Sequence, residues 1–276
     1  MRQALPLFDR ELAALDTLWL FGPHPLSLVV ARRARRRGVA VHLGIRQHFP
    51  DYLAGRLPRG LRPLASAGAW SLEAAFRRTA RWAPTVVVGE DLARRWRPRA
   101  CALLDLPFAL IDGDDLVALD EVGERPWRDP VRLLTVTRLD PEKNPLLLTD
   151  LLAELGPGWT LRVAGDGPLR DRVEQRAGRL GVEGVPQVLW EAMAAGAPIV
   201  ATAVGGVAAA LDQGGRGLLV PPRDAGRLAD ALRRLAADPA LRRRIARQGR
   251  EEAGRQTIDR QVARVVEFFT THRRTA

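Results

Sequence analysis

Leu133-Leu-Thr-Val-Thr-Arg138-Leu-Asp-Pro-Glu-Lys143-Asn-Pro145 opens as an apolar, β-branched run and closes in a polar loop that carries two cations. Further on, Thr160-Leu-Arg-Val-Ala164 repeats the pattern and runs into Gly165-Asp-Gly-Pro168. Between them, residues 145–155 place apolar side chains at helical spacing and stop at Gly156-Pro157-Gly158. A strand, a helix and a second strand in that order form the unit of a parallel α/β layer. The stretch therefore predicts a strand over 131–137, a helix over 145–155 and a strand over 160–164.

The same alternation extends in both directions. Downstream it predicts a helix over 169–180 capped by Gly181, a helix over 188–195, a strand over 198–203 and a helix opened by Gly205-Gly206. A strand over 217–220, two amphipathic helices over 224–237 and 239–253, and an apolar-faced segment over 258–269 follow. Upstream it predicts a strand over 18–21, a helix over 26–37 closed by Gly38, and a strand over 39–45. Pro50, Pro58 and Pro63 mark 46–68 as loop. A helix over 70–82, a strand over 85–88 and a helix over 90–96 come next. The polar stretch 120–130, with Pro126 and Pro130, reads as a linker. The expected organisation is an α/β domain over 1–129, a second over 130–257, and a C-terminal helix over 258–276 that returns to the first.

Composition narrows the class. The 276 residues are 46% hydrophobic and 27% charged, which is globular and not disordered. Net charge is +11, so anionic partners are favoured over cationic ones. Aromatic residues make up 5% with a single Tyr, which provides no stacking platform for bases and argues against nucleic acid. One cysteine, Cys101, excludes an internal disulfide. No Cys/His cluster has metal-ligand spacing. Neither a signal peptide nor a run of eighteen apolar residues is present, so the expectation is a soluble, cytoplasmic protein whose basic helices can rest on the inner face of an anionic membrane.

Of the 43 Lys and Arg residues, Lys143 is the one lysine. A compact ammonium and a planar guanidinium are not equivalent toward phosphate, so Arg138 with Lys143 reads as a clamp on a diphosphate, or else as an ordinary solvated turn. Gly165-Asp-Gly167 is a tight strand-to-helix turn, and Gly205-Gly206 bares backbone N–H groups ahead of a helix, an arrangement that favours an anion. Glu183 and Glu191 are eight residues apart, a little over two helical turns, which suits acceptance of ligand hydroxyls. The same spacing also fits a capping carboxylate followed by a solvated one. Ile111-Asp-Gly-Asp-Asp115 reads as an Asx-type turn in preference to a carboxylate metal site.

Thr135-Val-Thr-Arg-Leu-Asp-Pro-Glu-Lys143, Val163-Ala-Gly-Asp-Gly-Pro-Leu169, the Glu-x7-Glu run continuing to Pro198-Ile-Val-Ala-Thr-Ala-Val-Gly-Gly206, and Gly217-Leu-Leu-Val-Pro-Pro222 together resemble the nucleotide-sugar domain of the family 4 retaining glycosyltransferases. The resemblance implies a GT-B fold of two Rossmann-like domains. It implies that Arg138 and Lys143 hold the donor diphosphate and that Glu183 contacts the donor sugar. Glu191 would meet the ribose hydroxyls, the turn at Gly205-Gly206 would approach the phosphates, and Gly165 is a further substrate-binding candidate. It implies no metal or other cofactor, the nucleoside-diphosphate sugar being a co-substrate. The first domain resembles the family's acceptor side, where a loop histidine is often functional; His24 and His48 are the candidates.

The chain departs from the family in two places. The usual glycine-rich first turn of the acceptor domain is absent. Between Gly181 and Glu183 a strand, a helix and a further strand are missing, roughly thirty residues or more. Both domains are therefore expected to be incomplete. A strand spans about 17 Å and two residues about 7 Å, so helix 169–180 must unwind or the sheet be rewired for Glu183 to reach the ligand edge. The expected function is transfer of a sugar from a nucleoside-diphosphate donor to a hydroxyl acceptor with retention. The alternatives are an inactive remnant that binds a nucleotide or a partner protein, and a basic protein that binds polyanions or membrane surfaces.

Overall fold

The computed structural model of the chain describes residues 5–50, 62–124, 127, 129–177 and 188–272. Two compact units emerge, residues 1–108 with 261–276, and residues 109–260.

The first unit runs α1 (Leu5–Leu12), β1 (Thr17–Gly22), α2 (Pro25–Arg36), β2 (Ala40–Ile45), α3 (Arg62–Thr79), β3 (Thr85–Val88), α4 (Glu90–Trp96) and β4 (Leu103–Leu106). Its strands form one parallel sheet in the order β1-β2-β3-β4. Each crossover moves one strand in the same direction, and right-handed crossovers then place α2, α3 and α4 on one face. β2 is buried along its whole length, as an inner parallel strand covered on both faces must be. Val41, Leu43 and Ile45 pack with Val30, Ala31 and Ala34 of α2, Phe76 of α3, and Leu92 and Trp96 of α4. His42 and Gly44 alternate with them and face the other way.

α3 starts by Arg62, earlier than the prolines suggested. Pro63 is its second residue, where a missing N–H costs nothing because no intrahelical partner exists for it. The expected loop thus narrows, and residues 51–61 lie outside the described ones.

The second unit runs β5 (Val131–Val136), α5 (Leu147–Leu155), β6 (Trp159–Ala164), α6 (Arg170–Ala177), α7 (Val188–Ala194), β7 (Val200–Thr202), α8 (Val207–Ala210), β8 (Leu218–Val220), α9 (Ala225–Ala237) and α10 (Pro239–Arg255). α11 (Ile258–Thr271) follows, and from Gln261 onward it belongs to the first unit. There the Phe269 ring stacks on fully buried His42 at 3.9 Å and stands edge-on to Trp19 at 5.2 Å. α9 and α10 start where the sequence marks them. Asp224 accepts from Arg227 N and Asp238 from Leu241 N, both at 2.9 Å, and Pro239 opens α10.

Among the described residues the second unit has two separate two-stranded parallel sheets, β5-β6 and β7-β8. One helix layer underlies both. Leu151 and Leu155 of α5 and Ala229 and Leu232 of α9 pack against Leu133 of β5, Trp159 of β6 and Val200 of β7. The opposite face of β5-β6 is open: Arg132, Leu134, Thr160 and Arg162 are exposed, Leu134 by 66%.

Residues 109–129 go with the second unit, although the polar stretch 120–130 read as the linker. Ala109 and Ile111 are buried with Met193, Ala194, Ile199, Leu211 and Ala253. Val117 N donates to Ala194 O at 3.0 Å, and Ile258 N to Ile111 O at 2.8 Å. Ile111–Asp115 forms the expected Asx-type turn, in which Asp112 Oδ1 accepts from Asp114 N at 2.8 Å and Asp115 N at 3.2 Å. No described helix is long and apolar enough to cross a membrane.

Candidate functional site

The carboxyl ends of β5 and β6 form the best-defined edge of the second unit. Val136 stands opposite Ala164, and the two backbones stay joined beyond the sheet. Thr137 N donates to Ala164 O at 2.9 Å, Leu139 N to Asp166 O at 2.9 Å, and Leu169 N to Leu139 O at 3.0 Å. The glycines make this approach geometrically feasible. A Cβ on Gly165 would lie 1.7 Å from the Thr137 carbonyl oxygen, and one on Gly167 would lie 2.8 Å from the Leu139 carbonyl carbon. Gly165-Asp-Gly167 is thus pressed flat against the segment that carries Arg138.

Arg138 leaves this edge half-exposed and forms an ion pair with Asp140. Asp140 begins the single 3-10 turn Pro141–Lys143, whose Lys143 N donates to Asp140 O at 3.0 Å. Asn144 ends the turn in the left-handed region at φ 48°. Lys143 is exposed. The edge therefore presents Arg138 and Lys143 beside the carboxylates of Asp140 and Asp166. An incoming diphosphate would meet Lys143 directly and would compete with Asp140 for the Arg138 fork.

The other predicted residues are placed as follows. Gly205 and Gly206 follow β7 in the second small sheet, ahead of the four-residue α8. Both are exposed, and a Cβ on either would meet nothing within 4 Å, so the backbone there is accessible. Glu191 is exposed in the first turn of α7. Glu183 and the junction at Val182 lie outside the described residues. α6 is helical through Ala177, and its predicted end at Leu180 also lies outside them. The structure thus joins Arg138, Lys143 and Gly165 on one edge and sets Gly205-Gly206 at the end of a different sheet.

In the first unit, His24 caps α2: its Nδ1 accepts from Leu26 N at 3.2 Å, and Pro25 occupies the first helical position. His48 follows β2 and is nearly buried. Its Nε2 lies 3.4 Å from Glu73 Oε1, and its ring stands edge-on to Trp70 at 5.3 Å. The sequence reading missed Glu73, which is 1% exposed. Arg77 holds it, with Nη2 at 2.6 Å and Nε at 3.0 Å from Oε1. An i, i+4 Glu–Arg pair on the 70–82 helix was the available signal, but such pairs usually lie on solvated faces. Here the carboxylate is buried beside His48 and Arg77.

Comparison with known proteins fits this geometry. Residues 179–252 match the family profile described as Glycosyl transferases group 1. The chain is similar to the Exopolysaccharide phosphotransferase SCO2592 of Streptomyces coelicolor, with 35% identity over 145 residues, 41% of this chain and 15% of that protein. It is 29% identical over 174 residues to the glycogen synthase of Mycobacterium tuberculosis, covering 51% of this chain and 42% of that one. The chain thus spans less than half the length of these relatives. Among solved structures it resembles a sucrose-phosphate synthase from Thermosynechococcus elongatus, with TM-score 0.69, 21% identity, 98% of this chain and 78% of that one. It also resembles Anabaena HepE solved with UDP, with TM-score 0.66, 18% identity, 95% of this chain and 82% of that one. The fold is therefore that of the GT-B glycosyltransferases.

Proposed function

We propose that the protein transfers a sugar from a nucleoside-diphosphate donor to a hydroxyl acceptor with retention of configuration. One observation carries this reading: Arg138 and Lys143 share an edge with a Gly165-Asp-Gly167 turn that admits no side chain at its closest approach. Such an edge, at the carboxyl ends of parallel strands, is where α/β folds bind ligands. The HepE structures with UDP and with UDP-glucose support the donor class.

In the proposed reaction the bond between the anomeric carbon and the diphosphate oxygen breaks. The acceptor oxygen takes its place on the same face and gives up its proton to the departing phosphate oxygen. Negative charge grows on the departing phosphate, and Lys143 and Arg138 stabilise it electrostatically, so no metal is needed for that task. The accessible turn at Gly205-Gly206 offers backbone N–H groups to the phosphates, Glu191 meets the ribose, and Glu183 meets the sugar. His48, positioned after β2, serves the acceptor side. A cytoplasmic location, peripheral to the inner membrane face, accords with a donor of this class. A donor-hydrolysis and transfer assay with several nucleotide sugars, run on the protein and on Lys143→Ala, tests the proposal.

A second reading has its own support, the divided sheet. Doubly wound sheets commonly order their strands 3-2-1-4-5-6. With strands three and four removed, 2-1 and 5-6 remain as separate pairs, as β5-β6 and β7-β8 do. Parallel sheets are normally covered on both faces, yet Leu134 lies open. An incomplete donor domain of this kind would bind a nucleotide without turning it over. Binding of nucleoside diphosphates in the absence of hydrolysis and transfer would select this reading over the first.

A further inference from the structure

A cluster of arginines in the first unit lies away from the edge where its candidate histidines sit. A cavity of about 320 Å³ is lined by Arg32, Arg35 and Arg36 of α2, Arg78 of α3, and Trp82. A second, of about 270 Å³, is lined by Arg77, Arg78, Arg81 and Arg99. Arg78 lines both, so the two adjoin. Among the described residues no acidic one lines either cavity.

Topology fixes where these cavities are. The last turn of α2 leads through Gly38 into the start of β2. The end of α3 leads through Trp82 into β3, and Arg99 lies between α4 and β4. All three connections enter strands at their amino ends. His24 and His48 follow β1 and β2 at the carboxyl ends. A six-residue strand separates the two edges by about 20 Å.

Five of the arginines that line the cavities are left without an acidic partner among the described residues. Asp9 is engaged by Arg33, at 2.6 Å, and by Arg37, at 3.1 Å. Both belong to the same segment but neither lines a cavity. Glu73 takes Arg77. Among the described residues, Arg32, Arg36, Arg78, Arg81 and Arg99 have no ion pair. The Arg35 guanidinium lies 4.5 Å above the centre of the Trp82 ring, which orients it at the wall of the larger cavity. Helix C-termini favour cations, which accounts for one or two arginines in a last turn. It does not account for Arg81 and Arg99, which lie outside the helices. Like charges gathered this closely repel one another, and a bound anion would relieve that repulsion.

We propose that the two cavities form an anion site for ligands carrying two or more phosphate groups, separate from the sugar-transfer edge and bridged by Arg78. Guanidinium forks match phosphate oxygens in bidentate geometry, and two adjoining cavities lined by such forks suit more than one phosphate group. The phosphates come either from lipid headgroups of an anionic membrane or from a soluble polyphosphate. Nucleic acid is disfavoured, because Trp82 is the one aromatic side chain lining the cavities and it is covered by Arg35.

The test uses the whole chain and two variants of equal charge change, R32Q/R36Q/R78Q at the cavities and R227Q/R243Q/R244Q on the second unit. One arm titrates inorganic tripolyphosphate by calorimetry. The other measures co-sedimentation with phosphatidylcholine vesicles containing phosphatidylglycerol. The cavity variant is expected to lose about tenfold or more in affinity in whichever arm the parent protein binds, while the second-unit variant loses less than about threefold. Vesicle binding without tripolyphosphate binding identifies headgroups as the source, and the converse identifies a soluble ligand. Equal losses in the two variants, no binding by the parent in either arm, or tighter binding of a duplex oligonucleotide than of both probes would each overturn the proposal. Circular dichroism of both variants separates lost binding from lost folding.

Discussion

The carbonyl oxygen of Thr137 occupies the place where a side chain on Gly165 would begin, 1.7 Å from an added Cβ. One residue after that carbonyl stands Arg138. The turn and the cation are therefore parts of one rigid arrangement, and disturbing the first moves the second.

Gly165→Ala is accordingly expected to destabilise the second unit by about 3 kcal/mol, since backbone and not a flexible side chain must give way. It should also weaken nucleoside-diphosphate binding. Gly205→Ala, at an accessible turn where the φ is +50°, should cost only about 1 kcal/mol of strain and leave the Arg138 edge in place. Urea denaturation of both variants checks the order.

The buried trio in the first unit gives a second expectation. Glu73 is 1% exposed and depends on Arg77 for its charge balance. Arg77→Ala leaves that carboxylate buried with His48 as its remaining neighbour, which should cost about 3 kcal/mol. A loss below about 1 kcal/mol in chemical denaturation would mean that Glu73 reaches water or another cation.

His42 supplies a pH dependence. Burial, and secondarily the charge of His272, lower its pKa from 6.5 to about 4. Between those values the unfolded chain binds a proton that the folded chain refuses. The stability due to neutral His42 is thus complete above about pH 6.5 and declines as the pH falls toward 4. An NMR titration should place the His42 ring transition near pH 4, and a midpoint above about 6 would show that the Phe269 stack does not exclude water.

The fold was largely legible in the sequence because its signals are local. Gly38 marks a helix end by capping chemistry alone, and the runs at 131–137 and 160–164 read as strands from their apolar, β-branched residues. Pro63 misled because a proline reads as a breaker unless its place in the first turn is known. The unit boundary misled because Ala109 and Ile111 owe their burial to Met193 and Ala253, partners far along the chain. The places of Arg138, Lys143 and Gly165 at strand ends were legible from the sequence, whereas Asp140 as the partner of Arg138 and Glu73 as the neighbour of His48 required tertiary packing. The arginine cavities were read only as diffuse charge, since spacing along α2 does not reveal that Arg78, Arg81 and Arg99 meet it.

The open face of β5-β6 bears on the divided sheet. Leu134→Glu should change stability by no more than about 0.5 kcal/mol if that face meets solvent, because surface substitutions rarely do more. A loss of 2 kcal/mol or more in thermal unfolding would reveal a covering layer over the strand and weaken the reading of a missing βαβ unit.

Direct titration of UDP, GDP and ADP into the protein and into Lys143→Ala and Arg138→Ala is the most direct test of the sugar-diphosphate edge. Each substitution removes a charge-assisted phosphate contact of about 1.5–3 kcal/mol, so the preferred nucleotide should bind roughly ten- to hundredfold more weakly. Unchanged affinity in both variants, or no binding of any of the three nucleotides to the parent protein, would contradict it.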